Sequence, residues 1–320
     1  MTTLLVLLAQ VDAPVKVYIL AGQSNMEGKG QMKLAEYQST SPEFKDDYKH
    51  LKPDGKWVVR EDVWINFLDR RGPLTVGYGS PNCVGPELEF GMKVGDFHKE
   101  QVLLIKAAWG GRSLGRDFLP PSAKQPTDEE LKEIAAKEKK PTTAEEVRAR
   151  YGKSYREMLA EVRTTLADID KRFPAYGGQG VELAGFVWFQ GWNDHINGPF
   201  ADAYEANLLC LIQDLRKDLN APKLPVVLGQ MGQCGFKPAA GGMKKVNDAM
   251  AAAGAKLERV KVVATAPLWD AEADKLYPTW RENKEAWDKV GSDHGYHYLG
   301  SVRFFCRAGR AFGEAMLSFK

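Results

Sequence analysis

Cysteine and histidine are scarce in this 320-residue chain, at 4 and 5 copies. Cys83, Cys210, Cys234 and Cys306 are too few and too scattered to form a disulfide framework, and no Cys-x-x-Cys pair of the kind that holds zinc is present. They leave the redox compartment open. No apolar run approaches the roughly 18 residues a membrane helix needs, so a soluble chain is expected. An excess of charge is also missing. The 44 Lys and Arg against 42 Asp and Glu leave +2, too balanced for the broad basic field of a nucleic-acid or anionic-membrane binder. Neither partner is expected, and a neutral or mixed substrate is. Internal repeats and low-complexity tracts are lacking, and 44% hydrophobic with 27% charged residues describes an ordered globular protein.

The apolar start, Leu4 to Ala9 followed by Gln10-Val11-Asp12-Ala13, reads as the end of a signal h-region, although no basic residues precede it. Residues 1–13 are therefore expected to be a signal remnant of a secreted or periplasmic protein; a first strand or an apolar terminus is the alternative. Beyond them, short β-rich runs alternate with stretches of helical period, the pattern of a parallel sheet covered by helices on both faces. Five core strands are expected, at Val15 to Ala21, Val102 to Ala108, Leu183 to Gln190, Leu224 to Gln230 and Val260 to Ala266. Tyr155, Met158, Leu159, Val162, Leu166 and Ile169 share one helix face, and Phe200, Tyr204, Leu208, Leu211 and Leu215 another. A last helix is expected from about Leu299 to Leu317. The fold class is thus α/β, a three-layer sandwich in a single domain over 14–320, with two insertions. The one at about 117–150 carries two capping boxes, Thr127 with Glu130 and Thr143 with Glu146, which predict a solvated helical flap. In the other, at about 29–78, Trp57-Val58-Val59 and Val63-Trp64-Ile65 flank Arg60-Glu61-Asp62 and predict a small hairpin or strand pair outside the main sheet.

Four segments can carry chemistry. Gly22-Gln23-Ser24-Asn25-Met26 follows the first strand, where ligands gather in doubly wound sheets, so Ser24 is either a nucleophile or an ordinary helix-capping serine. His297, near the opening of the last helix, offers the imidazole that a serine hydroxyl needs as a base, although a lone histidine is more often structural. His294 and His297 form a metal-like pair without a third ligand, and no metal or cofactor is expected. Gln190, at the end of the third strand, has an NH2 able to face a developing oxyanion, and Asp194 a carboxylate able to orient a histidine; a buried amide in an aromatic cluster is the plainer reading. Gly85, in Asn82-Cys83-Val84-Gly85-Pro86-Glu87, leaves its N–H free as a donor or simply precedes a helix.

Taken together, Gly22 to Met26, Val84 to Glu87, Trp188 to Asp194 and Tyr296-His297-Tyr298 with a preceding Asp resemble the Ser-Gly-Asn-His hydrolases. Within them the likeness is to the sialate O-acetylesterase-like group that includes carbohydrate esterase family six. Lys106 to Leu114 resembles that group's second-strand segment. The resemblance spans about Val15 to Phe312, outside the two insertions. It implies a flavodoxin-like fold and a serine esterase that removes O-acetyl groups from carbohydrate, of the acetylxylan or sialate type, through an acyl-enzyme. Ser24 would be the nucleophile and His297 the base, with Ser24, Gly85 and Gln190 forming the oxyanion hole. The acid departs from the family pattern, since His294 stands three residues before His297; Asp293, four before, is the first choice, Asp194 the second, and a working Ser-His dyad the remaining possibility.

Acetylated oligo- or polysaccharide is the expected partner, lying on an aromatic-edged rim. Gln23, Asn25, Trp109, Gly111, Arg112, Trp192 and Asn193 are the expected substrate contacts, with Trp269, Tyr277, Trp280 and Trp287 as further rim candidates. A non-catalytic glycan-binding protein on the same scaffold, or a hydrolase of another ester, is the alternative. The sequence leaves the oligomeric state undecided.

Overall fold

The computed structural model describes residues 13–319; the expected signal segment lies outside them, save for Ala13. Seven strands form one sheet: β1 Val15–Gly22, β2 Arg60–Phe67, β3 Arg70–Leu74, β4 Val102–Ala108, β5 Val181–Phe189, β6 Val226–Gly229 and β7 Val260–Val263. Their spatial order is β3-β2-β4-β1-β5-β6-β7. All neighbours run parallel except the β2–β3 pair. The five expected core strands are all present.

Each central strand is apolar on both faces, as a sheet sandwiched by helices requires. In β1, Val15, Val17, Ile19 and Ala21 face one core while Tyr18 and Leu20 face the other. The first core is closed by helices α5 Lys153–Ala167, α6 Gly198–Asp218 and α7 Gly241–Lys256. The second is closed by α2 Glu87–Phe97 and α8 Val302–Leu317. The three-layer sandwich read from the sequence is therefore the observed architecture.

The expected hairpin outside the sheet is corrected. Val63 to Phe67 are buried and pair in parallel with Val102 to Lys106, so β2 is part of the main sheet. Its antiparallel partner is Arg70–Leu74, and Trp57-Val58-Val59 is not a strand. The charged trio begins a strand because Arg60 is held by Asp62 and Asp96, each at 2.6 Å. The turn comes instead at Leu68, in the left-handed region with φ 56°. The other insertion has the expected capped helices, α3 Asp128–Ala136 and α4 Ala144–Arg150, each with both bonds of its capping box. Leu131 and Val147 are their buried anchors.

One buried ion pair ties the sheet to the loops at its carboxyl end. Lys106 on β4 is fully enclosed and its Nζ donates to Glu87 Oε2 at 2.7 Å, Glu27 O at 2.7 Å and Tyr78 O at 2.8 Å. Burial pushes the Lys106 ammonium below its ordinary range and Glu87 opposes that shift. Removing the cation strands a buried carboxylate, so Lys106→Met is expected to cost about 3 to 5 kcal/mol of stability. Urea unfolding measures this, and a loss within experimental error would show that the pair contributes nothing.

Candidate active site

Parallel strands in register carry their following loops to a common level. Gly22 pairs with Ala108 on one side and with Phe189 on the other. Two residues beyond these three stand Ser24, Gly110 and Gly191, at the point where the strand order switches direction around β1 and a crevice opens. The turn after β1 is tight: Gly22 has φ 153°, and a Cβ there would lie 2.2 Å from the Phe189 carbonyl oxygen. Ser24 then opens the short helix α1, Ser24–Glu27. It is 6% exposed, and among the described residues neither its backbone N–H nor its hydroxyl has a hydrogen-bond partner.

His297 arrives from the opposite end of the chain through an irregular loop. Asp293 Oδ2 meets His297 Nδ1 at 2.8 Å, and Asp293 Oδ1 accepts the His294 N–H at 2.7 Å. Burial alone would raise the Asp293 carboxyl; these two bonds and the neighbouring imidazoles outweigh it and hold it below the ordinary carboxylate range. The loop is folded back by the Leu299 carbonyl, which accepts the N–H groups of Ser292 and Asp293 at 2.8 and 3.1 Å. Tyr298, Leu299 and Gly300 all have positive φ, of 51°, 63° and 60°. Side-chain residues in that region carry strain. Gly300 is required there, since a Cβ would lie 2.3 Å from Ser292 Oγ. The last helix therefore starts at Val302, capped by Ser301 Oγ on Phe304 N, rather than at the expected Leu299.

The Asn25 side chain joins the two loops, its Nδ2 donating to the Tyr296 carbonyl at 3.1 Å. Ser24 and His297 are thus each one residue from a direct hydrogen bond. No bond joins their side chains among the described residues, so the expected contact is not made in this state. Bonds of this kind often tighten only when substrate is bound.

Several expected roles are corrected by what the side chains already hold. Asp194 is fully buried and far from idle: it accepts Leu114 N–H at 2.9 Å, Gly115 N–H at 2.7 Å and Gln190 Nε2 at 2.6 Å. It is therefore not the partner of His297, and Asp293 is. Burial raises the Asp194 carboxyl to about 6 against those three bonds. Gln190 Nε2 spends its protons on Asp194, Arg112 O at 3.0 Å and Gln23 Oε1 at 3.1 Å, leaving none for an oxyanion. Gly85 donates its N–H to Glu87 Oε1 at 2.9 Å, and its backbone lies against Gly28, so it is not a free donor.

Gln23 and Asn25 are 2% and 3% exposed and act as internal staples rather than substrate contacts. Gln23 Nε2 donates to Asn193 Oδ1 at 3.0 Å, which turns the Asn193 NH2 outward from that bond. Among the described residues this NH2 and the Gly110 N–H have no protein partner. A Cβ on Gly110 would sit 3.9 Å from Ser24 Cβ. Sequence reasoning gave Gly110 no role of its own, although it lies in the Lys106 to Leu114 segment, and expected Asn193 among the substrate contacts. Their signal was the common position of Gly110 and Gly191 past in-register strands. Trp109, Gly111, Arg112, Trp192 and Asn193 keep some exposure, whereas Trp269 and Trp287 are buried and drop out of the rim.

Comparison with known proteins gives the family and the fold. The model of the family described as carbohydrate esterase, sialic acid-specific acetylesterase matches residues 14–281. The chain belongs to that family. A probable carbohydrate esterase of Arabidopsis thaliana is 32% identical over 127 residues, 40% of this chain and 43% of its own length. The alignment thus spans less than half of that relative. Its crystal structure superposes with a TM-score of 0.54 at 19% identity, covering 95% of this chain and 98% of that one. The crystal structure of NanS gives 0.52 at 16%, covering 96% and 98%. At these identities the structural matches speak for the fold. The family of carbohydrate acetylesterases is the one the sequence motifs imply, and no helix among the described residues is long and apolar enough to cross a membrane.

The Asp194 environment gives a pH signature. An acid raised to about 6 in the folded chain, from an ordinary 3.8, still holds its proton there after the unfolded chain has released it. Its contribution to stability therefore falls as pH rises through that window, by about 3 kcal/mol, and levels off above it. Stability of the native protein minus that of Asp194→Asn, measured by denaturant between pH 4 and 7, is expected to decline across this range. A flat difference would contradict the assignment.

Proposed function

We propose that this chain hydrolyses O-acetyl esters of carbohydrate through an acyl-enzyme on Ser24. The observation that carries the reading is the 2.8 Å bond between Asp293 and His297 Nδ1, on a loop fastened beside the nucleophile by Asn25. With Nδ1 committed to the carboxylate, Nε2 is the nitrogen left to take the Ser24 proton. The Ser24 oxygen attacks the acetyl carbon as Nε2 accepts that proton, and the imidazolium then returns it to the sugar oxygen that leaves. Water repeats the sequence on the acetyl-serine, with His297 as base and then acid. Asp293 holds the ring in the useful tautomer and stabilises its charged form.

The oxyanion formed in each step needs donors not already spent. Ser24 N–H, Gly110 N–H and the Asn193 NH2 meet that condition, and we assign the hole to them in place of Gly85 and Gln190. Each such donor is worth about 10²- to 10³-fold in rate. Trp109, Gly111, Arg112 and Trp192 form the wall around this point. The Arg112 side chain is 36% exposed with a loose 3.5 Å contact to Asp117, so its charge is left to meet an oxygen-rich sugar. The apolar Leu4 to Ala9 run supports an exported enzyme acting on a polymer such as acetylated xylan. Acetylated sialic acid is the monomeric alternative.

A fluorophosphonate probe with acetate release from acetylated sugars tests the reading. Labelling of the native protein that vanishes in Ser24→Ala is expected. His297→Ala is expected to abolish turnover, and Asp293→Asn to lower kcat about 10²- to 10⁴-fold. Full activity of His297→Ala would refute its role. Carbohydrate binding without labelling would make this a glycan-binding protein, and faster cleavage of longer acyl chains a different esterase.

A further inference from the structure

Five aromatic rings follow one another along the rim beside His297. Trp280 meets His294 edge-on at 6.0 Å, His294 stacks on Tyr296 at 5.3 Å, Tyr296 lies 5.8 Å from Trp192, and Trp192 stands 4.5 Å from His195. Tyr296 is the centre of the row and its most open member, 39% exposed. Its ring also stands edge-on to the His297 imidazole at 4.5 Å. The carbonyl of the same residue holds Asn25, so this ring is fixed relative to both nucleophile and base. An open ring among neighbours that fix its position is a ready surface for a flat, partly apolar ligand. A pyranose fits that description, because the C–H groups of its faces meet the negative π cloud of an aromatic ring while its hydroxyls stay in water. The row continues on both sides of Tyr296, and one sugar covers only part of it.

We propose that Tyr296, flanked by Trp192 and His294, is the stacking surface for the acetylated sugar and its neighbours, and that the preferred substrate is an oligosaccharide chain rather than a single acetylated sugar. This rests on the esterase reading above. The mechanism of selection is adhesion: each further stacked sugar lowers KM, and the chemistry at Ser24 is the same for all.

The experiment compares 4-nitrophenyl acetate, an acetylated xylose and acetylated xylotriose on the native protein, Tyr296→Ala and Tyr296→Phe. For the native protein, kcat/KM is expected to rise about tenfold from the single sugar to the trisaccharide. Tyr296→Ala is expected to lose that gain through KM, with a much smaller effect on the aryl ester, and Tyr296→Phe to keep it. Trp280→Ala, which shortens the row at the end away from the oxyanion wall, is read the same way if Tyr296→Ala does not fold. Absence of a chain-length gain, or an equal fall in kcat on all three substrates, would overturn the proposal while leaving the esterase reading intact. A native protein inactive on all three, the aryl ester included, would overturn the esterase reading itself.

Discussion

The hydrogen bond between Asp293 and His297 exists because the chain from Ser292 to Gly300 gives up regular structure to make it. In a helix, residues four apart share a face, but here the pair meets in a loop whose close is set by three positive-φ residues. Such backbone is unfavourable unless its surroundings over-determine it. Tyr298 and Leu299 supply that compensation as fully buried side chains. Tyr298 stacks on Phe304 with ring centres 3.6 Å apart, donates or accepts at Thr265 Oγ1, and takes the Gly232 N–H at 2.9 Å. His297, the proposed base, is therefore positioned by the core, through the buried Tyr298 and Leu299 side chains.

The same logic governs the other side of the site. Gln23, Gln190, Asn193 and Asp194 form one buried amide and carboxylate network spanning the turns after β1 and β5, with Tyr204 bonded to Gln190 Oε1 at 3.0 Å. A satisfied polar network in a low-dielectric interior is rigid, because every member has something to lose by moving. Its cost is that its members cannot also serve the reaction. Gln190 and Gln23 are consumed by it, and only Asn193, at its edge, keeps a free NH2.

This explains which parts of the molecule were legible in the sequence. The five parallel strands and the helix faces were, because burial on two sides of a sheet or one side of a helix leaves a period in the residues. Ser24, Asp293 and His297 were also singled out, since the proposed chemistry restricts the residue types that can serve, and the structure brings Asp293 and His297 together at 2.8 Å. The hairpin was misplaced because Arg60-Glu61-Asp62 looks like a turn until Asp96, on another element, neutralises Arg60. Gly85 and Gln190 were assigned by residue type, and type does not reveal where a donor's protons go. For Gln190 that depends in part on Arg112 and Gln23, more than 75 positions away, and for Gly85 on how the Glu87 side chain folds back. Tyr296 was invisible for the same reason, its neighbours in the row lying on three separate loops.

Electrostatics beneath the nucleophile complete the constraint. Glu27 ends α1, and its Oε2 would lie 3.4 Å from a Cβ on Gly110, so a carboxylate stands close to the point where negative charge must develop. Left alone it would oppose that charge, strongly so in a partly dry crevice. Lys29 Nζ meets Glu27 at 3.2 Å and Ser80 Oγ donates to it at 2.7 Å, while Lys106 holds the backbone carbonyl of the same residue and Glu87 balances Lys106. Two cations thus face two carboxylates, and the floor is neutral. A neutral floor neither repels an oxyanion nor traps one, which leaves its stabilisation to the proposed short-range donors, Ser24 N–H, Gly110 N–H and Asn193. Those act only on an oxygen held at one point, so the charge balance below makes the geometry above decisive.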